Sequence, residues 1–134
     1  MDNLFDTLKP YTDVVGRVLI AVLFLLSGWG KVGAYAGTQA YMHQAGVPGG
    51  LLPLVILIEL GGGLAIVIGL YTRPVALLMA GFSILAALLF HAGGADPVQQ
   101  IMFLKNLGLA GGFLLLVANG AGRLSVDAKL HPSS

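Results

Sequence analysis

The chain contains no cysteine and very little charge. Without thiols there are no disulfides, no thiolate nucleophile, no iron–sulfur cluster and no cysteine-based zinc site. Charged residues make up 10% of the 134 positions, against roughly 25% in soluble domains. Seven basic and six acidic side chains cannot wet the surface of a soluble domain of this size, which excludes an ordinary soluble enzyme and a disordered chain. The net charge of +1 offers no basic face, so nucleic acid is excluded as a partner. What the chain has instead is apolar sequence: 57% hydrophobic residues and a mean hydropathy of +0.89. Its length predicts one domain over residues 1–134.

Four apolar stretches, Val14–Ala36, Leu51–Tyr71, Pro74–Gly94 and Val98–Ala118, are separated by Gly, Pro and the few charges. Each matches the ~20 residues an α-helix needs to cross the ~30 Å hydrocarbon layer. The runs are about twice the length of a barrel strand and lack period-two alternation, so helices are predicted rather than a barrel. The expected fold is all-α: an integral membrane four-helix bundle with short loops. An acid-containing segment, Met1–Asp13, precedes the first run, which is too long for a signal-peptide core and is read as a retained span. Within that segment Leu4, Phe5 and Leu8 suggest a short interfacial helix that Pro10 interrupts. In the longest connection, Thr38 as N-cap and Gly46 as stop predict a short interfacial helix over Gln39–Ala45.

An even number of spans places both termini on one side. That side carries Lys9, Arg17, Arg73, Arg123 and Lys129, while the other carries Lys31 and Lys105. The excess predicts cytoplasmic termini. Small residues four apart, Gly61/Ala65/Gly69, Gly33/Gly37 and Gly108/Gly112, are expected to let helix backbones approach closely. Gly61-Gly62-Gly63 lacks the Lys and Ser/Thr of a phosphate loop, which argues against a nucleotide.

Arg17, Lys31, Glu59 and Lys105 are ionised residues inside the spans, and His91 lies there too. A charge at the bilayer centre costs at least about 2.5–3.5 kcal/mol, so each needs a partner or a wet cavity. At ~1.5 Å per residue, Lys31, Glu59, His91 and Lys105 lie ~8, ~12, ~5 and ~10 Å from the non-cytoplasmic edge. One residue from each helix therefore shares one band, with Trp29 and Asn106 beside it. Two arrangements follow. Either Glu59 pairs with Lys105 or Lys31 while the other lysine snorkels and the cluster only sets helix order, or Lys31, Glu59, His91, Lys105 and Asn106 line a polar pocket. Such a pocket, with net charge +1, suits an anionic headgroup or a quinone oxygen, with Glu59 or His91 as proton carrier. Haem is argued against because His43 and His131 lie outside the spans and no second axial histidine is present; no metal site is expected. Arg17 is expected at the cytoplasmic end, reaching the interface or meeting Asp13 or Asp127.

Gly28-Trp29-Gly30-Lys31, Tyr35-Ala36-Gly37-Thr38, Gly46-Val47-Pro48-Gly49 and Glu59-Leu60-Gly61-Gly62-Gly63 resemble the DoxX family of four-helix bacterial membrane proteins. Phe90-His91, Met102-Phe103-Leu104-Lys105-Asn106 and the closing Gly122-Arg123-Leu124-Ser125-Val126-Asp127 are similar too. The chain departs at Ala121, where the family often has Pro. The resemblance implies a bacterial plasma (inner) membrane location and a redox connection, since the family takes its name from a subunit of a thiosulfate:quinone oxidoreductase. It implies Lys31, Glu59 and Lys105 as polar core, with Arg17 and Asp127 on the cytoplasmic side. The absence of cysteine argues against independent thiosulfate chemistry, because nothing can carry a persulfide. The expectations are thus a quinone-interacting protein or subunit of a membrane oxidoreductase, with the bilayer and a redox protein as partners. The alternatives are a small-solute or anion carrier or binder, for which homo-oligomerisation would be required, and a structural subunit without chemistry.

Overall fold

Apolar residues on every face of a long run leave the backbone polar groups to satisfy one another, and helices follow. A computed structural model describes residues 2–131. Four long helices result: α1 (Asp2–Gly33), α3 (Gly49–Ile68), α4 (Thr72–His91) and α5 (Pro97–Asn119). A short helix, α2 (Tyr35–Gln44), joins α1 to α3, and α6 (Val126–Leu130) follows α5. No strand occurs among the described residues. Leucines and valines on the outer faces are exposed, as lipid-facing side chains should be.

The centre is packed by small and aromatic side chains: Ala21 and Phe24 of α1, Ile66 of α3, Ala76, Met79 and Ala80 of α4, and Ala110 and Phe113 of α5. Phe24 stands edge-on to Phe82 at 6.4 Å and tilted to Phe113 at 5.5 Å, geometries that aromatic quadrupoles favour. Where burial between helices gains little over lipid, such close packing supplies the cohesion.

Several sequence expectations change. Pro10 does not interrupt α1, which runs unbroken through it. The only acceptor it leaves unbonded is the carbonyl of Asp6, an exposed residue that water can satisfy. Helix α2 starts at Tyr35, not Gln39, and Thr38 is not its cap; the Thr38 hydroxyl donates to the Ala34 carbonyl inside the helix. The chain bends only at Ala34, whose own N–H still reaches the Gly30 carbonyl. Gly46, with φ +79°, does end the segment. Helix α3 stops at Ile68 rather than Tyr71, because Gly69 (φ +72°) and Tyr71 (φ +47°) both take the left-handed conformation.

The glycine stripes also shift. Gly33, Gly37 and Gly108 face open space, and Gly61 meets only its own helix. Of the expected positions, Gly112 against Ile20 and Gly69 against Arg17 and Ser125 are close approaches, and the others fall on Gly28 against Leu60, Gly62 against Met79 and Gly63 against Leu25. On α3 the cause is a π turn over Ile58–Gly62. Its extra residue rotates the small face away from the i, i+4 register assumed for a regular helix.

Candidate functional site

Two π turns carry the site. The first, Ile58–Gly62, holds Glu59; the second, Ala87–His91, ends α4 at His91. Single π turns inside α-helices recur at functional positions, because the wide turn re-aims side chains at the expense of regular packing. Here the first one brings Glu59, 3% exposed, against Gly28 of α1, where a Cβ would sit 3.1 Å from the Glu59 Cβ.

Glu59 is paired with Lys31 rather than with Lys105. Lys31 Nζ lies 2.7 Å from Glu59 Oε1 and donates to Ser27 Oγ at 2.6 Å. The ammonium approaches Oε1 outside hydrogen-bonding geometry, so the pair is held by charge. Lys9–Asp13 is the other ion pair among the described residues, which leaves Lys105 without a carboxylate. Lys105 Nζ comes within 3.8 Å of Met102 Sδ, a weak acceptor at best. Its neighbour Asn106 is 8% exposed, and its amide has no side-chain hydrogen bond among the described residues. His91 Nδ1 is 2.6 Å from Gln99 Oε1, which fastens the end of α4 to the start of α5.

These groups surround a cavity of about 470 Å³. Lys31, Glu59, His91, Lys105 and Asn106 all line it, together with Ser27, Thr38 and Ser83. The rest of the wall is apolar, built from Phe24, Ile58, Phe82, Met102 and a row of leucines. Helix α2 covers one end: Tyr41 stacks on Phe90 at 5.5 Å with planes 19° apart, and Met42 is buried beneath it. Leu51 and Leu54 of α3, with Leu85 and Leu89 of α4, line the cavity and are also exposed on the bundle surface. These leucines, with Leu23 of α1, bring the cavity wall to the bundle surface, chiefly along α3 and α4.

Sequence reasoning did not find Ser27, Ser83, Gln99 or the Tyr41–Phe90 stack. Ser27 alone left a signal, standing one turn before Lys31 and so within reach of its ammonium. Trp29, expected beside the band, points outward at 71% exposure and takes no part in the cavity.

Arg17 is built into a separate cluster at the other end of the bundle. It is 1% exposed and touches neither Asp13 nor Asp127 within ion-pair distance. Its Nη1 donates to the Val67 carbonyl at 3.1 Å, and its Nη2 to the Leu124 carbonyl. The left-handed turn at Gly69 frees the last carbonyls of α3, and a planar fork of donors suits them better than a carboxylate does. Asp13 is instead held by Lys9 at 2.8 Å. Asp127 accepts from the Tyr71 N–H at 2.6 Å and the Thr72 N–H at 2.8 Å, and so caps α4. Burial works to raise the Asp127 pKa, but the backbone donors of Thr72 and Tyr71 outweigh it and hold the carboxyl below its ordinary value. Asp127 N–H also bonds the Gly69 carbonyl at 2.9 Å, which completes the return of the C-terminal segment onto the α3–α4 turn.

The family model DoxX matches residues 12–92, which include Arg17, Lys31, Glu59 and His91. The chain is 54% identical to "Inner membrane protein YqjF" of Escherichia coli (strain K12) over 92% of its own length and 98% of that protein's. It is 31% identical to "Inner membrane protein YphA" of the same organism, over 93% and 94% respectively. No solved structure matches it. Four helices of spanning length, and two full-length relatives named as inner membrane proteins, lead to one assignment: the chain belongs to the DoxX family and is an integral inner-membrane protein.

Proposed function

We propose that the chain is a redox-associated inner-membrane protein whose cavity holds a quinone ring, on its own or as a subunit of a membrane oxidoreductase complex. The observation that carries this reading is the apolar cavity lined by a polar residue from each spanning helix: Lys31, Glu59, His91 and Lys105. A water-soluble substrate would need an aqueous mouth, whereas a leucine wall that reaches the bundle surface suits molecules already dissolved in lipid. Phe24, Phe82 and Phe90 offer flat apolar surface to a ring, and the leucine row extends that surface toward the outside of the bundle. A bound quinone would supply two-electron, two-proton carrier chemistry, with electrons drawn from a redox protein partner.

The chain's own groups suit that task. Two lysines against one glutamate give the cavity a net charge of +1, which favours an oxygen that gains negative charge. Glu59 and His91 are the groups able to pass protons at the cavity wall. By the excess of Lys and Arg at the other end, the cavity lies in the outer half of the membrane and the termini in the cytoplasm.

The test is purification in native lipid, solvent extraction of bound molecules and co-purification of partners. Quinone in near-stoichiometric amount, reduced by the cavity-filling change Ser83→Phe, is the expected result. Absence of both quinone and a redox partner overturns the reading. The same +1 charge also favours a second reading, a binder or carrier of an anionic amphiphile, with a second copy completing the path. Uptake into proteoliposomes that Glu59→Gln leaves unchanged would count against it.

A further inference from the structure

The polar groups around the cavity do not share one task. Lys31 is engaged on both sides, by Ser27 Oγ at 2.6 Å and by Glu59 Oε1 at 2.7 Å. Lys105 and Asn106 are not. Among the described residues the ammonium has no carboxylate and only a thioether sulfur at 3.8 Å, and the side-chain amide of Asn106, a residue 8% exposed, makes no side-chain hydrogen bond. A charged donor and a free amide facing an apolar wall are costly unless something accepts their hydrogen bonds. Both project from α5, whereas the leucines that bring the wall to the bundle surface lie chiefly on α3 and α4. A molecule entering past those leucines would thus reach Lys105 and Asn106 head first, with its tail left among Leu54, Leu85 and Leu89.

We propose that Lys105 and Asn106 together form the polar recognition end of the cavity, taking an oxygen of a membrane-soluble amphiphile, while Lys31 only positions Glu59. The inference rests on the reading of the cavity as a quinone site and assigns the groups that read the head. An ammonium and an amide N–H both donate, so the matching head is an electron-rich oxygen, as on a quinone ring or an ionised carboxylate. The exposed leucines of the wall set no limit on tail length, and selection rests on the head.

The experiment is photolabelling of the full chain in lipid nanodiscs with an azidobenzoquinone carrying a decyl tail. Decylbenzoquinone and decanoate serve as competitors. Lys105→Met and Asn106→Ala should each lower labelling about tenfold or more, the size of a lost hydrogen bond to a charged or buried group. Lys105→Arg should retain labelling, and Trp29→Leu, at an exposed position outside the cavity, should change it less than about threefold. Two independent variants and the arginine control separate recognition from misfolding. Wild-type labelling that survives both Lys105→Met and Asn106→Ala overturns the assignment and leaves the quinone reading standing. If the wild-type chain is not labelled, the quinone reading falls and the assignment with it. If decanoate displaces the probe and decylbenzoquinone does not, the quinone reading falls, while Lys105→Met sensitivity of that displacement supports the recognition end.

Discussion

Lys31 Nζ lies 2.7 Å from Glu59 Oε1, and this contact joins the far end of α1 to the π turn of α3. Glu59 is nearly inaccessible while Lys31 keeps about a quarter of its side chain exposed. Removing one member of such a pair leaves the other charge stranded, whereas removing both does not. Lys31→Met alone should therefore destabilise the bundle by about 2–4 kcal/mol, near the lower part of the range for buried pairs because Lys31 is part-exposed. Lys31→Met/Glu59→Gln should recover most of that loss. Thermal unfolding in detergent, run as a double-mutant cycle, reads the coupling directly.

A second prediction concerns the left-handed residue at the end of α3. Gly69 has φ +72°, and a Cβ there would collide with Arg17 Nη1 and Ser125 Cβ. Gly69→Ala should cost about 1–3 kcal/mol from backbone strain alone, with the steric conflict added. Its signature should be local: hydrogen exchange should speed up at the Asp127 N–H, which bonds the Gly69 carbonyl.

Asp127 gives a pH dependence whose sign follows from its lowered pKa. The carboxylate form caps α4, so its contribution is present above the ordinary value of 3.8 and is lost as pH falls through the lower folded value. Stability measured from pH 6 downward should fall with Asp127 intact. Asp127→Asn should flatten that acid limb and cost about 0.5–2 kcal/mol at neutral pH as a weakened cap.

The Tyr41–Phe90 stack predicts how the cavity is covered. Tyr41→Ala should cost about 0.5–1.5 kcal/mol for the aromatic pair and loosen α2 from the end of α4. Faster hydrogen exchange should be confined to Tyr35–Gln44. Unchanged exchange there would show that Gln39, whose amide donates to the Gly49 carbonyl at 3.1 Å, holds α2 by itself.

Orientation is open to a clean measurement because the chain has no cysteine. With Thr7→Cys and Gly94→Cys as single probes, a membrane-impermeant maleimide should label Gly94→Cys in spheroplasts. It should reach Thr7→Cys only after lysis. The reverse pattern would place the cavity in the inner leaflet.

Residue type alone determined the solvent and the number of spanning helices, because both depend on composition and a fixed rise per residue. Helix ends were less legible. Gly69 and Tyr71 terminate α3 and start α4 through backbone angles that their neighbours impose, and Pro10 is tolerated because water reaches the carbonyl it leaves free. Who pairs with whom was not legible at all. Glu59 had two lysines at similar depth, and a π turn, which no periodicity announces, turned it toward Lys31 and left Lys105 beside a cavity. Arg17 took carbonyls in place of Asp13 or Asp127 because a turn distant in sequence exposed them. Depth is a one-dimensional property that a helix inherits from its sequence. Azimuth and partnership are set only when four helices choose their faces together, and at this site a single extra residue in one turn made that choice.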